Sequence, residues 1–160
     1  MNNKRMEDRD FVARFIGFYD GYDDYDSDLD THLNGKMNNL STLTEQQIDK
    51  LKNDFIKAMK AAFDIFGDDA FRKRFKLDDA RYPLNKAIFE AVSVNLAKMS
   101  EADIQKLVEK REGIKQGLID LFNNNGVFLN SISSATGDVL KIKLRMDTIK
   151  ELFQEGLRDD

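Results

Sequence analysis

Apolar residues recur along this chain at spacings of three and four, the period of a helix with one buried face. The pattern is strongest from Leu84 to Met99. At about 100° per residue, Leu84, Ile88, Ala91, Val92, Leu96 and Met99 form one arc, widened by Ala87, Phe89 and Val94. Lys86, Glu90, Ser93 and Ala97 fill the remaining strip. A helix apolar over more than half its circumference needs neighbours on several sides, so residues 83–99 are expected to form a central helix. Pro83, the single proline, fits a first helical turn, where its missing N–H is not needed. Asn95 falls inside the arc and Asn85 near its edge. As buried polar groups they need partners, either a neighbouring backbone group or a site.

The other periodic segments are amphipathic. Residues 6–19 place Phe11, Val12, Phe15, Ile16, Phe18 and Tyr19 on one face. A short helix is expected over 28–39, with Leu29, Leu33, Met37 and Leu40 inward. Thr44 and Gln47 form a capping box. It opens a long helix with Ile48, Leu51, Phe55, Met59, Ala62 and Phe66 inward, and Gly67 is placed to end it. Ser100 opens a helix expected to run to Phe122, with Gly113 and Gly117 inside it. Each of those glycines costs up to ~1 kcal/mol against alanine, so close approach of another helix is expected there. A short helix around Phe128 and Ile132 follows. Asp138 then caps a last helix with Val139, Ile142, Met146, Ile149, Phe153 and Leu157 inward, and with Lys141 and Arg145 on its outer side. The whole reads as an all-α, single-domain bundle of about six to eight helices around the central one.

Composition agrees and narrows the function. The chain has 160 residues, 41% apolar and 34% charged, which suits one soluble domain. It has no cysteine, which removes disulfides and thiolate chemistry. No apolar run approaches the ~20 residues of a membrane span. The first ten residues lack the apolar core of a signal peptide, so a cytoplasmic protein is expected. The net charge is −4 and the pI about 5.1. Contact with DNA would therefore have to come from a local basic patch.

Residues 72–81 supply the strongest such cluster. Arg72, Lys73, Arg74, Lys76 and Arg81 stand against Asp78 and Asp79. A second candidate is the small polar turn Ser133, Ser134, Ala135, Thr136, Gly137 ahead of Lys141 and Arg145. Hydroxyls entering a helix N-terminus can hold a phosphate, although Asp138 at that terminus opposes one. The nucleic-acid or phosphate-binding candidates are thus Arg72, Lys73, Arg74, Lys76, Ser133, Ser134, Thr136, Lys141 and Arg145.

Other chemistry is poorly supported. Residues 20–35 hold six aspartates, but neither register from Asp24 or Asp26 places the glycine and glutamate of a calcium loop. His32 is the single histidine and reads as a surface residue. A zinc site needs about four ligands. There is no Ser/His/Asp set and no glycine-rich nucleotide motif. No catalytic residue, metal site or cofactor is expected.

Four stretches together suggest a family. They are NKRMEDRDFVARFIGFYDGYDDYDSDLDTHLN from residue 3, FGDDAFRKRF from 66, PLNKAIFEAVSVNLAKMS from 83, and FLNSISSATGD from 128, followed by Lys143 and Arg145. In this order they resemble the helical C-terminal half of GmrSD-type restriction proteins, whose N-terminal domain is ParB/sulfiredoxin-like. In that family the nuclease or nucleotide-hydrolysing chemistry is attributed to the N-terminal domain, and its D-G-Q-Q-R-type signature is absent here. The resemblance implies phage-defence or DNA-restriction context. It also implies that this chain is an isolated helical subdomain: a split-gene product, a relic or a fragment. Two roles follow as expectations. One is a non-catalytic module that holds a ParB-like nuclease/NTPase domain or contacts DNA. The other is a free-standing protein–protein interaction or inhibitor module, with the acidic loop 20–30 as its charged surface.

Overall fold

The structure is a computed structural model that describes residues 3–158, with side chains described from residue 6. Met1 and Asn2, part of the stretch read for a leader, lie outside the described residues. Among the described residues there are eight α-helices and no strand: α1 Asn3–Tyr19, α2 Leu29–Asn39, α3 Glu45–Phe66, α4 Lys86–Ala97, α5 Glu101–Glu109, α6 Arg111–Asn124, α7 Gly126–Ser131 and α8 Val139–Leu157. The all-α reading holds.

Helix α4 is the centre. Ten of its twelve residues are buried, and α1, α3 and α8 pack around it. Ile88, Val92 and Leu96 are enclosed there, each contributing about 1.5–3 kcal/mol by leaving water. Phe15 and Phe18 face them from α1, Ala58, Ala61, Ala62 and Ile65 from α3, and Ile142, Met146, Ile149 and Phe153 from α8. The alanines of α3 let its backbone come close to α4.

The central helix is shorter than its apolar pattern. It starts at Lys86, with Asn85 as its N-cap: the Asn85 side chain accepts from the Ile88 N–H at 2.9 Å. Asparagine is a strong cap because its oxygen satisfies an N–H that the helix leaves free. Pro83 and Leu84 precede the helix as exposed chain, and Leu84 pairs with Arg72 in an isolated antiparallel bridge. The helix ends at Ala97, so Met99 follows it.

Helix ends announced in the sequence are found. Thr44 and Gln47 make both hydrogen bonds of the capping box. Ser100 and Asp138 accept from the N–H groups of Asp103 and Lys141. Gly67, with φ 61°, closes α3, in a backbone region that disfavours a side chain. The helix expected over 100–122 is two helices, with Lys110 (φ −96°, ψ 16°) outside the helical region between them. Gly117 is where α8 comes close: a Cβ there would lie 2.7 Å from Leu152 Cδ1. Gly113 has no such neighbour, since a Cβ there would meet nothing within 4 Å. Val12, Met37 and Ile48, expected inward, are exposed at about two-fifths of their surface, 38%, 39% and 43%.

Candidate functional site

The basic segment lies between α3 and α4, and two of its three arginines, Arg72 and Arg74, are committed to holding it in shape. Arg72 donates from Nε to the Asp68 carbonyl at 3.1 Å and from Nη1 to the Tyr82 carbonyl. Arg74 donates to the Leu77 carbonyl at 2.7 Å and pairs with Asp69. Asp79 Oδ2 accepts from the backbone N–H groups of Phe75 and Lys76 at 2.7 and 3.1 Å, closing the turn. The Lys76 residue itself is exposed.

Lys73 turns the other way. Its Nζ donates to Ser133 Oγ at 2.8 Å, across 60 positions of sequence. At the next residue of the same turn, Lys141 Nζ donates to the Ser134 carbonyl at 2.6 Å. Two of the predicted segments therefore meet. Lys73, Ser133, Ser134 and Lys141 form one surface patch of two ammonium groups and two exposed serines at the α7–α8 turn.

Arg145 is not part of that surface. It is 1% exposed, which corrects its assignment to the outer side of α8 and to a nucleic-acid contact. It lies three positions after Ile142 and four before Ile149, both buried, so α8 turns it into the protein. Its Nη1 donates to the Ser131 carbonyl at 3.0 Å and to the Thr136 carbonyl at 2.8 Å. Its Nη2 lies 2.5 Å from Glu90 Oε2. Thr136, half-buried, thus offers its backbone to a core arginine and not to a ligand.

Glu90 is fully buried on α4 and takes a second guanidinium, Arg14 of α1, at 2.6 Å. Arg14 continues to Asp10 at 3.2 Å, and Asp10 pairs with Lys86 at the start of α4. Burial works against the Arg14 cation, but the Glu90 carboxylate outweighs it and holds the Arg14 pKa above its ordinary value. Burial likewise works against the Asp10 anion, and Lys86 and Arg14 overcome it, leaving Asp10 below the usual carboxylate value. The row Lys86–Asp10–Arg14–Glu90–Arg145 joins α1, α4 and α8. It had one visible signal: Glu90 is a lone acid in the most apolar helix.

The turn that Arg145 grips is held from a second side. Tyr25 donates its O–H to the Gly137 carbonyl, and Tyr22 donates to Asp147 Oδ1 at 2.5 Å. These two contacts fasten the acidic loop 20–28 to α8 and its approach. Between the Ser131 and Thr136 carbonyls that Arg145 holds sits Ala135 with φ 45°, a left-handed conformation that costs a non-glycine residue roughly 1–2 kcal/mol.

Asn85 and Asn95 are half-buried, less enclosed than expected, and both serve structure. Asn85 Nδ2 donates to the Ile132 carbonyl at 2.9 Å. Asn95 Nδ2 donates to the Ala91 and Met146 carbonyls at 2.8 and 3.0 Å, tying α4 to α8. His32 is also half-buried, correcting its surface placement. Its Nε2–H donates to the Gly17 carbonyl at 2.7 Å and its ring stacks on Phe18. Among the described residues no three His, Cys, Asp or Glu side chains are grouped to hold a metal ion. No described helix is long and apolar enough to cross a membrane.

Two larger hollows mark the surface. One of about 640 Å³ lies where α1, α2 and α3 meet, with Tyr19, Lys36, Lys50 and Leu51 in its wall. The other, about 350 Å³, lies between the basic segment and α6. The chain is thus defined as an α-helical bundle with a charged network through its core and a small basic patch at one turn. No protein-family model matches it, and no curated protein or solved structure does so.

Proposed function

We propose that this chain is a non-catalytic helical module that contacts DNA through Lys73, Ser133, Ser134 and Lys141, in the setting of GmrSD-type restriction proteins and their ParB-like domains. The observation that supports it is the Lys73–Ser133 hydrogen bond of 2.8 Å. It joins two separately suspected segments, both within the stretches that carry the family resemblance. Ammonium groups and hydroxyls suit phosphate oxygens, and contacts of this kind position a duplex without reading its sequence.

Titration of a labelled duplex across a salt series tests this. Log affinity should fall linearly with log salt, by about 0.9 per phosphate neutralised. Lys73→Glu and Lys141→Glu should each weaken binding and lower the slope by about one. Salt-independent or absent binding ends this reading.

A second reading is a protein–protein interaction module. The fastening of the acidic loop by Tyr22 and Tyr25 supports it, because a fixed acidic surface suits a basic partner. In that case a ParB-like domain should bind the purified chain, and duplex DNA should not.

A further inference from the structure

We propose that the hollow of about 350 Å³ between the basic segment and α6 is a binding site for a small organic anion with an aromatic or branched apolar body. It is distinct from the Lys73–Lys141 patch and does not depend on the DNA reading.

The wall has two characters. Phe66, Leu118 and Phe122 give it an apolar side, while Arg72, Arg74 and Lys115 outnumber the two lining acids, Asp69 and Glu112, on the polar one. Its size falls within the roughly 300–1,000 Å³ of small-molecule sites, which pair an apolar wall with a few fixed polar groups. Charge is not balanced within it. Arg74 is paired with Asp69, and Lys115 with Glu112 at 3.0 Å. Arg72 forms no ion pair among the described residues; its two hydrogen-bond partners are neutral carbonyls. Burial and the nearby Arg81 push its pKa below the ordinary arginine value, against the opposing pull of Asp69 and Asp68. Arg74 Nε adds a buried N–H with no acceptor.

An anion beside Arg72 supplies the direct ion-pair partner that its two carbonyl contacts do not, and a guanidinium suits carboxylate or phosphate oxygens. The apolar body follows from Leu77, an exposed side chain at the hollow, and from the buried Phe66, Leu118 and Phe122 in its wall. The same wall argues against a DNA backbone, whose phosphates are spaced along an exterior surface.

The test follows amide NMR signals of the full chain during titration with phenyl phosphate, and separately with inorganic phosphate and phenol. Phenyl phosphate should give saturable shifts at Arg72, Lys115, Leu118 and Phe122, at least about tenfold tighter than either half-probe, a difference of ~1.4 kcal/mol. Arg72→Gln should weaken it about tenfold. Because Arg72 also braces its loop, Lys115→Glu, on the half-exposed face of α6, provides an independent variant that should also weaken binding. Equal binding of inorganic phosphate or phenol overturns the proposal. So do shifts confined to scattered surface lysines, or unchanged affinity in Lys115→Glu.

Discussion

Glu90→Gln is the sharpest test of what holds this bundle together. Glu90 is fully buried and is the anion for two guanidiniums, Arg14 at 2.6 Å and Arg145 at 2.5 Å. Gln keeps the shape and removes the charge. Arg14 retains Asp10, so its loss is partial. Arg145, at 1% exposure, keeps only the Ser131 and Thr136 carbonyls. A buried ion pair is not by itself a large net stabiliser, because both charges were taken out of water. Breaking one by removing a single partner is costly, about 3–5 kcal/mol, because the other charge stays buried. Total stability of such a domain is about 5–15 kcal/mol, so the variant would lose a large part of it. The melting temperature should fall by roughly 6–20 °C, taking about 2–4 °C per kcal/mol at this size. Urea unfolding at pH 7, with unchanged m-value, measures the loss directly. A double-mutant cycle of Glu90→Leu and Arg145→Met adds the decisive comparison: the double variant should lose less than the two single losses added together. A loss under about 1 kcal/mol in Glu90→Gln would refute the reasoning, since it would mean that Arg145 is adequately satisfied by carbonyls alone.

Two further predictions concern single groups. Burial alone would raise the Asp54 pKa, but hydrogen bonds from Lys50, Tyr19 and Lys57 hold it below its ordinary 3.8. A depressed native pKa adds stability that is present above the unfolded value and lost as pH falls through the native one. The stability difference between the native chain and Asp54→Asn should therefore be constant from about pH 7 to 5 and shrink below 3.8; a difference that persists unchanged at about pH 2 contradicts this. Ser93 is fully buried on α4 with an unpartnered hydroxyl, which costs about 1–3 kcal/mol in desolvation. Ser93→Ala should leave stability equal or higher in urea unfolding, and a loss above about 1 kcal/mol would show that the hydroxyl has a partner.

What the sequence discloses and what it conceals divides by range. Caps at Thr44, Ser100 and Asp138 act within one turn of their own helix, so residue types at fixed offsets reveal them. The stripes of α3 and α8 are nearly as local. Arg145 is harder, because a charge is ordinarily assigned to the wet side. Its offsets from Ile142 and Ile149 place it toward the core, and the helical period was the better guide. Glu90 falls on a polar strip that survives only at Lys86, because neighbouring helices cover α4 at Glu90, Ser93 and Ala97. Which surfaces cover it depends on α1 and α8, many tens of residues away. The start of α4 shows the same limit. Pro83 suits a helix start, yet Asn85 offers a side-chain acceptor, and the chain before it is drawn into the bridge between Leu84 and Arg72. The meeting of Lys73 with Ser133 is non-local in the same way and has no signal in either segment alone.

The buried network and the proposed DNA patch are mechanically linked, which separates two kinds of mutational effect. Arg145 holds the Ser131 and Thr136 carbonyls, the two ends of the turn that presents Ser133 and Ser134. Glu90 in turn fixes Arg145. Neither residue reaches the surface, so neither neutralises a phosphate. Under the DNA reading, Glu90→Gln should weaken duplex binding by disordering the turn while leaving the salt slope as it was, because the number of phosphates neutralised is unchanged. Lys73→Glu should do the opposite and lower the slope with little effect on unfolding, since its contact is exposed. If Glu90→Gln lowers the slope as much as Lys73→Glu, the turn is not a passive mount for the patch, and phosphate contacts must come from groups that the Glu90–Arg145 pair positions elsewhere.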